Sequence, residues 1–192
     1  PGDGATLCAD RVQYLHLGSR GRIWAIVKNR AGQPVLDRLD PATGHVTHLR
    51  HDPLRPAATG NGQVNQITRA GTPLRPLLTD PRGRTWVAFR DGLFCFDPGS
   101  TTPRAISFPD PDGAAPFHLY PSPADDNRVW VLFGTPDLRR GRLARLDLSE
   151  ETLSRLDLPP GLALQAAPMG IVQRAEEPDR LWLSGKALHR ID

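Results

Sequence analysis

The stretch DPRGRTWVAF (residues 80–89) decides the fold, because part of it recurs along the chain. A turn residue, an arginine, one intervening residue and a tryptophan follow one another in this order four times. All four tryptophans of the 192-residue protein lie in this pattern, at Trp24, Trp86, Trp130 and Trp182. Their spacings of 62, 44 and 52 residues indicate an internal repeat.

Each copy of the pattern predicts a turn followed by a strand. The position three residues before the tryptophan holds residue types that accept a positive φ, as a tight hairpin turn requires: Gly21, Gly83, Asn127 and Asp179. The strands that follow are continuously apolar and too short for helices, at 23–27, 85–89, 129–133 and 181–183. A strand that is apolar on both faces is covered on both, so we expect each to lie between two sheets.

Further strand candidates flank each apolar strand. The inner candidates precede the turn, at 11–17, 74–80, 117–121 and 170–175. The third strands end at an aspartate, at 35–40, 93–97, 143–147 and 187–192. The outer candidates follow turns such as DPATG and DPGS, at 45–49, 105–108 and 152–158. Each unit therefore predicts a four-stranded antiparallel meander.

Four-stranded sheets that repeat along a chain are typical of a β-propeller, in which they pack face to face around an axis. We predict an all-β fold for residues 1–192 with about four blades, at roughly 11–49, 74–108, 117–158 and 170–192. A β-sandwich with coincidental spacing is the competing fold.

Two arrangements of the blades stay open. Residues 5–10 could supply the outer strand that the last unit lacks, which would close a four-bladed ring. The other arrangement is part of a larger ring, completed by other segments or chains, and we favour it. An open arc exposes an apolar face on each terminal blade, and such a face needs a partner to cover it.

Composition argues against several classes of protein. The net charge is only +3, with 24 basic against 21 acidic residues and no run of five like charges, so we expect no nucleic-acid partner. The sequence has no apolar run of 18 residues, so we expect no membrane segment in this chain. It begins with Pro1 rather than Met, which suggests a processed protein or a piece of a longer one.

The two cysteines, Cys8 and Cys95, are too few for a disulfide framework or a four-cysteine zinc site. We favour two free thiols over one bridge. Other units have an arginine at the position of Cys95, namely Arg38, Arg145 and Arg190. We therefore expect a partly exposed thiol at the rim, with tight packing beside Phe94 and Phe96 as the alternative.

The segment HVTHLRH (residues 45–51) carries three histidines, which raises the question of a metal site. On a strand, His45 and His48 point to opposite faces, and His51 is far from His45. We therefore predict no metal and no cofactor. The sequence contains no Gly-rich phosphate loop between a strand and a helix, and no catalytic residue can be assigned from spacing.

Two propeller families resemble parts of this sequence. TDPRGRTWVAFRDGLFCFDP (79–98) resembles the repeat of two-component regulator propellers, with its Asp, Gly and Trp followed by Gly-Leu and Phe-Asp. GRIWAIVKNRAGQPVLDRLDPATGHVTHL (21–49) is similar to the streptogramin-lyase type of repeat. The third and fourth units depart from the Asp-x-x-Gly turn. The first resemblance implies the extracytoplasmic sensor region of a bacterial regulator, in the periplasm or outside the cell.

We expect ligand-binding residues where the hairpins after the tryptophan strands meet the connections between blades. Long hairpins at 28–34 and 134–142 and the connection at 50–73 make this surface polar. The candidates are Arg50, Arg55, Asn61, Asn65, Arg69, Arg90, His118, Arg139 and Arg140. Arginine forks suit carboxylate, sulfate or phosphate groups.

These observations favour a non-enzymatic propeller that senses a ligand or binds another protein. The ligand would be a small or carbohydrate-like anionic molecule. One alternative is a metal-assisted lyase of the streptogramin lyase type, for which His118 is the only candidate base. The other alternative is a structural module whose open blade faces form a homo-oligomer.

Overall fold

The structure is a computed structural model that describes residues 7, 11–28, 34–49, 76–89, 92–108, 114–134, 141–156, 170–178, 180–184 and 188–191. These residues form four antiparallel sheets and one 3₁₀ turn, Ser19–Gly21. The described part contains no α-helix. Its one 3₁₀ helix is too short to cross a membrane.

We name the sheets blade 1 to blade 4 in chain order. Blade 1 contains β1 (Arg11–Leu17), β2 (Ile23–Lys28), β3 (Pro34–Asp40) and β4 (His45–Leu49). Blade 2 contains β5 (Leu77–Thr79), β6 (Thr85–Phe89), β7 (Gly92–Phe96) and β8 (Arg104–Ile106). Blade 3 contains β9 (Ala115–Pro121), β10 (Arg128–Gly134), β11 (Gly141–Asp147) and β12 (Thr152–Arg155). Blade 4 contains β13 (Gly170–Gln173), β14 (Leu181–Ser184) and β15 (Leu188–Ile191).

The order of strands in every sheet follows the order in the sequence, as a meander requires. The predicted strands are confirmed in all four blades, and the differences lie at their ends. The inner strand of blade 2 was predicted over 74–80 but begins at Leu77, next to Pro76, which has no amide hydrogen to donate. The segment 147–156 forms a turn followed by β12, as expected.

The second strand of each blade carries the tryptophan and is buried. All five residues of β6 are buried, and the second strand of each of the first three blades contains a fully inaccessible valine, namely Val27, Val87 and Val131. Burial on both faces confirms that these strands are covered from both sides. The inner strands β1 and β5, and likewise β5 and β9, lie against one another near the axis of the arrangement.

Three apolar layers hold neighbouring blades together, and the tryptophans of the first three blades face forward into them. Trp24 contacts Phe96 of blade 2 edge-on, with ring centroids 5.2 Å apart. Trp86 packs in one cluster with Leu119 and Leu146 of blade 3. Trp130 packs with side chains of blade 4. The blades therefore stack in one direction, each tryptophan-bearing face against the next blade.

The turns before the tryptophan strands differ between blades. Gly21 and Gly83 have φ values of +70° and +78°, which confirms the expected left-handed backbone. The same expectation is wrong for Asn127. The turn of blade 3 is longer, with the amide of Ser122 bonded to the carbonyl of Arg128, so it closes without a positive φ at Asn127.

The outer faces of the first and fourth blades expose apolar side chains. In blade 1, Leu15 and Leu17 are 60% and 68% exposed, on the face opposite Trp24. In blade 4, Val172 is the cross-strand partner of Trp182, on the same face of the sheet, and is 55% exposed. These faces are the two ends of the stack. Of residues 5–10, the candidate closing strand, only Leu7 is described, and it lies in no strand; the others lie outside the described residues.

Candidate functional site

Strand direction divides the connections between two ends of the sheets. The second and fourth strands end, and the first and third strands begin, at one end of the sheets, which we call the loop face. The turns between first and second strands, and between third and fourth strands, lie at the other end, which we call the turn face.

The ligand-binding residues predicted from the sequence belong to the loop face. Eight of these nine candidates lie outside the described residues and stay predictions: Arg50, Arg55, Asn61, Asn65, Arg69, Arg90, Arg139 and Arg140. His118 is described. It lies within β9 opposite Leu132 and is 6% exposed, so it is a buried strand residue rather than a loop residue.

Of the three histidines of the 45–51 segment, His45 and His48 separate as expected from strand geometry. His48 Nδ1 lies 2.9 Å from Oδ1 of the buried Asp37, whereas His45 is exposed at the other end of β4. His51 lies outside the described residues. Within the described ranges, no group of three or more His, Cys, Asp or Glu residues is arranged to hold a metal ion.

At the turn face of blade 2, one carboxylate ties the repeated pattern together. Asp80 Oδ2 accepts hydrogen bonds from Arg84 Nε at 2.7 Å and from Trp86 Nε1 at 3.0 Å. Asp80 Oδ1 accepts a third from the Arg84 amide at 2.9 Å. The Arg84 guanidinium also lies over the Trp86 ring, 5.2 Å from its centroid. Asp80 and Arg84 are both buried, and this set of partners compensates for their desolvation.

The turn between β11 and β12 extends this network to blade 3. Glu151 Oε1 accepts hydrogen bonds from Arg84 Nη1 at 2.8 Å and from Arg104 Nη2 at 2.7 Å. Arg104 also donates to Asp97. The hydrogen bonds from Arg104 to Glu151 and Asp97 raise the pKa of Arg104, so it stays cationic. In this network, Arg84 and Arg104 of blade 2 each bind a carboxylate of their own blade and also Glu151 of blade 3. The network therefore joins blades 2 and 3.

Cys95 lies opposite Trp86 in β7 and is 0% exposed, so the expectation of a partly exposed thiol is wrong. The structure instead supports the alternative of tight packing in blade 2: Cys95 packs in one cluster with Trp86 and Leu93, while Phe94 and Phe96 pack on the other face of the strand. Of the arginines at the equivalent position, Arg38 is buried, whereas Arg145 and Arg190 are exposed. Burial raises the pKa of the free Cys95 thiol to about 12, so it stays protonated at neutral pH. Cys8 lies outside the described residues.

In blade 3, the tryptophan indole donates its hydrogen bond to a side chain of blade 4. Ser122 takes the position of Asp80, because its amide binds the carbonyl of Arg128 as the amide of Asp80 binds that of Arg84. Trp130 Nε1 donates to Gln173 Oε1 at 3.0 Å, and Ser122 Oγ donates to the same oxygen at 2.8 Å. Because Gln173 belongs to β13, this contact joins blades 3 and 4.

Blade 1 has a glycine at the same position. The amide of Gly18 binds the carbonyl of Arg22 at 2.7 Å, which identifies Gly18 as the counterpart of Asp80. A Cβ on Gly18 would lie 2.5 Å from Trp24 Nε1, so the indole leaves no room for a side chain there. Among the described residues, the Trp24 indole has no hydrogen-bond acceptor and the Arg22 guanidinium has no carboxylate partner.

A shallow cleft opens at this point between blades 1 and 2, with about 10 Å³ of enclosed space. Its lining includes Arg20, Arg22, Trp24, Arg38, Gly83 and Asp97. Arg38 is 7% exposed, donates from Nη1 to the Ser100 carbonyl at 2.8 Å and lies over Trp24, 5.6 Å from the ring centroid. Burial, and then the charge of Arg22, lower the pKa of Arg38. The cleft is therefore cationic.

The sequence contains a signal for this cleft that the loop-face prediction did not use. Aligning GSRGR (18–22) with DPRGR (80–84) places Gly18 opposite Asp80 and shows that blade 1 lacks a carboxylate. Glu151 and Gln173 have no such signal, because they come from the following blade and only the packing of the blades brings them to these positions.

Solved structures with similar architecture include two of the extracellular domain of BT4673 from B. thetaiotaomicron, named a one component system in one and a hybrid two component system in the other. Both are 18% identical, with TM-scores of 0.64 and 0.63 over 97% and 96% of this chain. Regucalcin from Agrobacterium tumefaciens C58, a calcium-binding protein, is 14% identical with a TM-score of 0.51. That match covers 94% of this chain and 53% of the other.

The chain spans about a fifth of the BT4673 domain chains, 21% in both cases. Neither a protein family nor a curated protein matches the sequence. At these identities the likeness concerns the fold. The repeated antiparallel sheets, the three apolar layers between them and these similar structures agree, and they confirm the β-propeller that the repeats predicted.

Proposed function

We propose that this chain is part of a non-enzymatic sensor propeller that lies in the periplasm or outside the cell. The observation that supports this proposal is the likeness to the extracellular domain of BT4673, which extends over 97% of this chain. A propeller supports this role physically, because rigid sheets hold variable loops in place and transmit the effect of a ligand to a neighbouring domain.

The sensed partner is a small or carbohydrate-like anionic molecule, or a partner protein, that binds at the loop face. Four of the nine candidate residues there are arginines outside the long hairpins, and two more arginines lie in the hairpin at 134–142. Guanidinium forks bind carboxylate or sulfate groups through paired hydrogen bonds, which gives direction as well as charge.

Thermal unfolding of the full chain with neutral, uronate-containing and sulfated oligosaccharides tests this proposal. The anionic sugars are expected to raise the melting temperature, because a ligand that binds only the folded state stabilises it. The double substitution Arg139→Gln and Arg140→Gln should remove the rise. Arg174→Gln, whose side chain is 67% exposed at the turn face, is the matched control and should leave it intact.

Two outcomes would overturn the proposal. If no oligosaccharide changes the melting temperature and no partner protein binds in a way that the double substitution weakens, the loop face is not the sensing surface. If an uronate-containing sugar is cleaved with formation of an unsaturated product, the chain is a lyase, and the non-enzymatic assignment is wrong.

The outer faces of the stack favour a second, structural role. Each of the three interfaces in the chain joins a tryptophan-bearing face to the opposite face of the next blade. Blade 4 presents Val172 and Trp182 on a face of the first kind, and blade 1 presents Leu15 and Leu17 on a face of the second kind. We infer that both faces pack against further blades of the same kind.

Light scattering of the full chain over a dilution series tests this second role. Self-association is expected when these faces have no other blade to cover them, and Leu15→Ser with Val172→Ser should reduce it. The exposed Arg174→Gln substitution is the control. A stable monomer whose mass and stability do not respond to the serine substitutions would contradict it.

A further inference from the structure

The strongest unassigned feature of the molecule is the cationic cleft at the turn face of blades 1 and 2. It lies at the opposite end of the sheets from the loop face, so the inference drawn from it does not depend on the proposed function. The repeat itself provides the reference, because the same arginine and tryptophan occur in every blade.

In the other three blades, the arginine of the pattern has a carboxylate partner. Arg84 Nε lies 2.7 Å from Asp80, Arg128 Nη2 lies 3.3 Å from Asp125, and Arg180 Nη1 lies 3.0 Å from Glu177. Arg22 is the exception, since no carboxylate of the described residues pairs with it. A half-buried guanidinium that lacks the partner of its counterparts is a site for an anion from outside the chain.

The indole nitrogen of Trp24 points to the same conclusion. Trp86 and Trp130 each donate a hydrogen bond to a side-chain oxygen, of Asp80 and Gln173 respectively. The Trp24 indole has no acceptor among the described residues, because Gly18 stands where Asp80 stands in blade 2. Trp24 is 4% exposed and borders the cleft, so a ligand oxygen in the cleft is the acceptor that its N–H lacks.

The charges around the cleft favour an anion. Arg20, Arg22 and Arg38 border it, and Arg38 is buried against the face of Trp24. The one acidic side chain in the lining, Asp97, is bonded to Arg104 and so is already neutralised. Three arginines therefore line the cleft against a single acidic residue that has its own partner.

We propose that this cleft binds the carboxylate of a small organic acid. Arg22 supplies a guanidinium fork for the two carboxylate oxygens, Trp24 Nε1 donates to one of them, and Arg38 adds a second positive charge. The ligand would take the chemical role that the carboxylates of Asp80 and Glu151 have around Arg84 in blade 2.

The size and geometry of the cleft favour a carboxylate. The enclosed space is only about 10 Å³, so the head of a small acid could enter it while the rest stays in solvent, and a planar carboxylate matches a guanidinium fork in the way that Asp80 matches Arg84. A ligand with few atoms in a half-open cleft gains limited affinity, so the dissociation constant for acetate should be on the order of 1 mM.

The test is a titration of the ¹⁵N-labelled full chain with sodium acetate and sodium succinate, with sodium chloride holding the ionic strength constant. The readout is the indole N–H signal of Trp24 in a nitrogen–proton correlation spectrum, assigned by its loss in Trp24→Phe. We expect a saturable shift of this signal, because a new hydrogen bond changes its environment, and little change at the Trp86 signal, whose N–H already has Asp80.

Arg22→Gln is the diagnostic variant, since Arg22 makes no side-chain hydrogen bond within the described structure that folding would lose. It should weaken acetate binding about tenfold, which is the effect of losing one charge-assisted contact. Arg174→Gln, with its side chain 67% exposed in blade 4, is the matched control and should bind as the parent does.

Three results would overturn the assignment. A Trp24 signal that does not shift, or shifts without saturation, would show that the cleft binds no carboxylate. An equal shift in Arg22→Gln would show that the binding does not depend on the guanidinium. Saturable binding of phosphate and sulfate without binding of acetate or succinate would show that the site selects tetrahedral anions and is not a carboxylate site.

Discussion

The turns that precede β2 and β6 carry nearly the same residues, but the arginine and tryptophan that follow have different hydrogen-bond partners. In blade 2, Asp80 accepts hydrogen bonds from both the arginine and the tryptophan of the pattern, and both are buried. In blade 1, Gly18 replaces the aspartate, the indole moves against the glycine, and a cleft remains beside it. One substitution in a repeat thus converts an internal ion pair into an open cationic site.

The same comparison separates structural from functional use of the repeat. The network around Arg84 reaches Glu151 and the Leu148 carbonyl of blade 3, so it fixes two blades to each other. At the corresponding junction of blades 1 and 2, the acceptors are uncharged backbone carbonyls. Arg38 donates to the carbonyl of Ser100, and Ser19 Oγ donates to the carbonyl of Gly83. We therefore expect substitutions in the turn of blade 2 to lower the free energy of unfolding more than substitutions in the turn of blade 1.

The largest effect is expected from Asp80→Ala. It removes three hydrogen bonds and leaves Arg84 with one carboxylate in a buried position, so the free energy of unfolding should fall by about 3 kcal/mol. Urea denaturation of both proteins measures it. Asp125→Ala in blade 3 is the control, since its side chain is 37% exposed, and should cost no more than about 1 kcal/mol. Equal losses for both variants would contradict the structural role of Asp80.

A smaller effect separates the two tryptophans. Trp86→Phe removes an indole N–H that donates to the Asp80 carboxylate, whereas the Trp24 indole of blade 1 has no acceptor in the described residues. Trp86→Phe should therefore destabilise the chain by about 1.5 kcal/mol more than Trp24→Phe, the cost of a hydrogen bond to a charged group. Urea denaturation of the pair gives the difference. Equal destabilisation would mean that the two indoles are equivalent.

Glu151→Gln tests the link between blades 2 and 3. The substitution weakens the three charge-assisted hydrogen bonds that Glu151 accepts from Arg84 and Arg104, and should lower the free energy of unfolding by about 1 kcal/mol. The loss should shrink in high salt, because Glu151 is partly exposed and its ion pairs are screened. Glu150→Gln is the neighbouring control and should have almost no effect. A loss of the same size at both positions would rule out the specific link.

The smallest effect at neutral pH is expected from the titration of Cys95. Burial raises the pKa of its thiol to about 12 in the folded state, above the ordinary value near 8.5. The unfolded chain therefore loses this proton first as the pH rises. The contribution of the neutral thiol to stability is complete below about pH 8.5 and declines between there and pH 12.

Thiol chemistry checks this prediction in a Cys8→Ser variant, so that Cys95 is the only thiol. An aromatic disulfide reagent at neutral pH should react with the folded protein far more slowly than with the urea-unfolded protein. Cys95→Ala should also flatten the decline of stability above about pH 8.5. Rapid labelling of the folded variant would show that the thiol is accessible and that the packing around it is looser than described.

The fold could be predicted because the signal for it is local and repeated. A turn residue, an arginine and a tryptophan precede a continuously apolar strand in each blade, and that pattern depends only on residues next to one another. Details that depend on a neighbouring chain segment were less predictable. The turn of blade 3 is longer than expected, so Asn127 does not need a positive φ, and the burial of Cys95 follows from the packing of blade 2 against blade 3.

The site was less predictable for the same reason. Loop length and arginine content directed the prediction to the loop face, where eight of the nine candidates lie outside the described residues. The turn face depends on Gly18, whose effect is visible only when Asp80 is known to accept from both Arg84 and Trp86. Once that contact is known, aligning the two turns is enough to find the cleft.

A crystal structure of the full chain grown in sodium acetate would test the central claim most directly, with crystals grown in sodium chloride for comparison. The account predicts an acetate in the cleft of blades 1 and 2, with its oxygens within hydrogen-bond distance of the Arg22 guanidinium and Trp24 Nε1. A cleft in which Arg22 instead pairs with a carboxylate of the protein, as Arg84 does with Asp80, would contradict it.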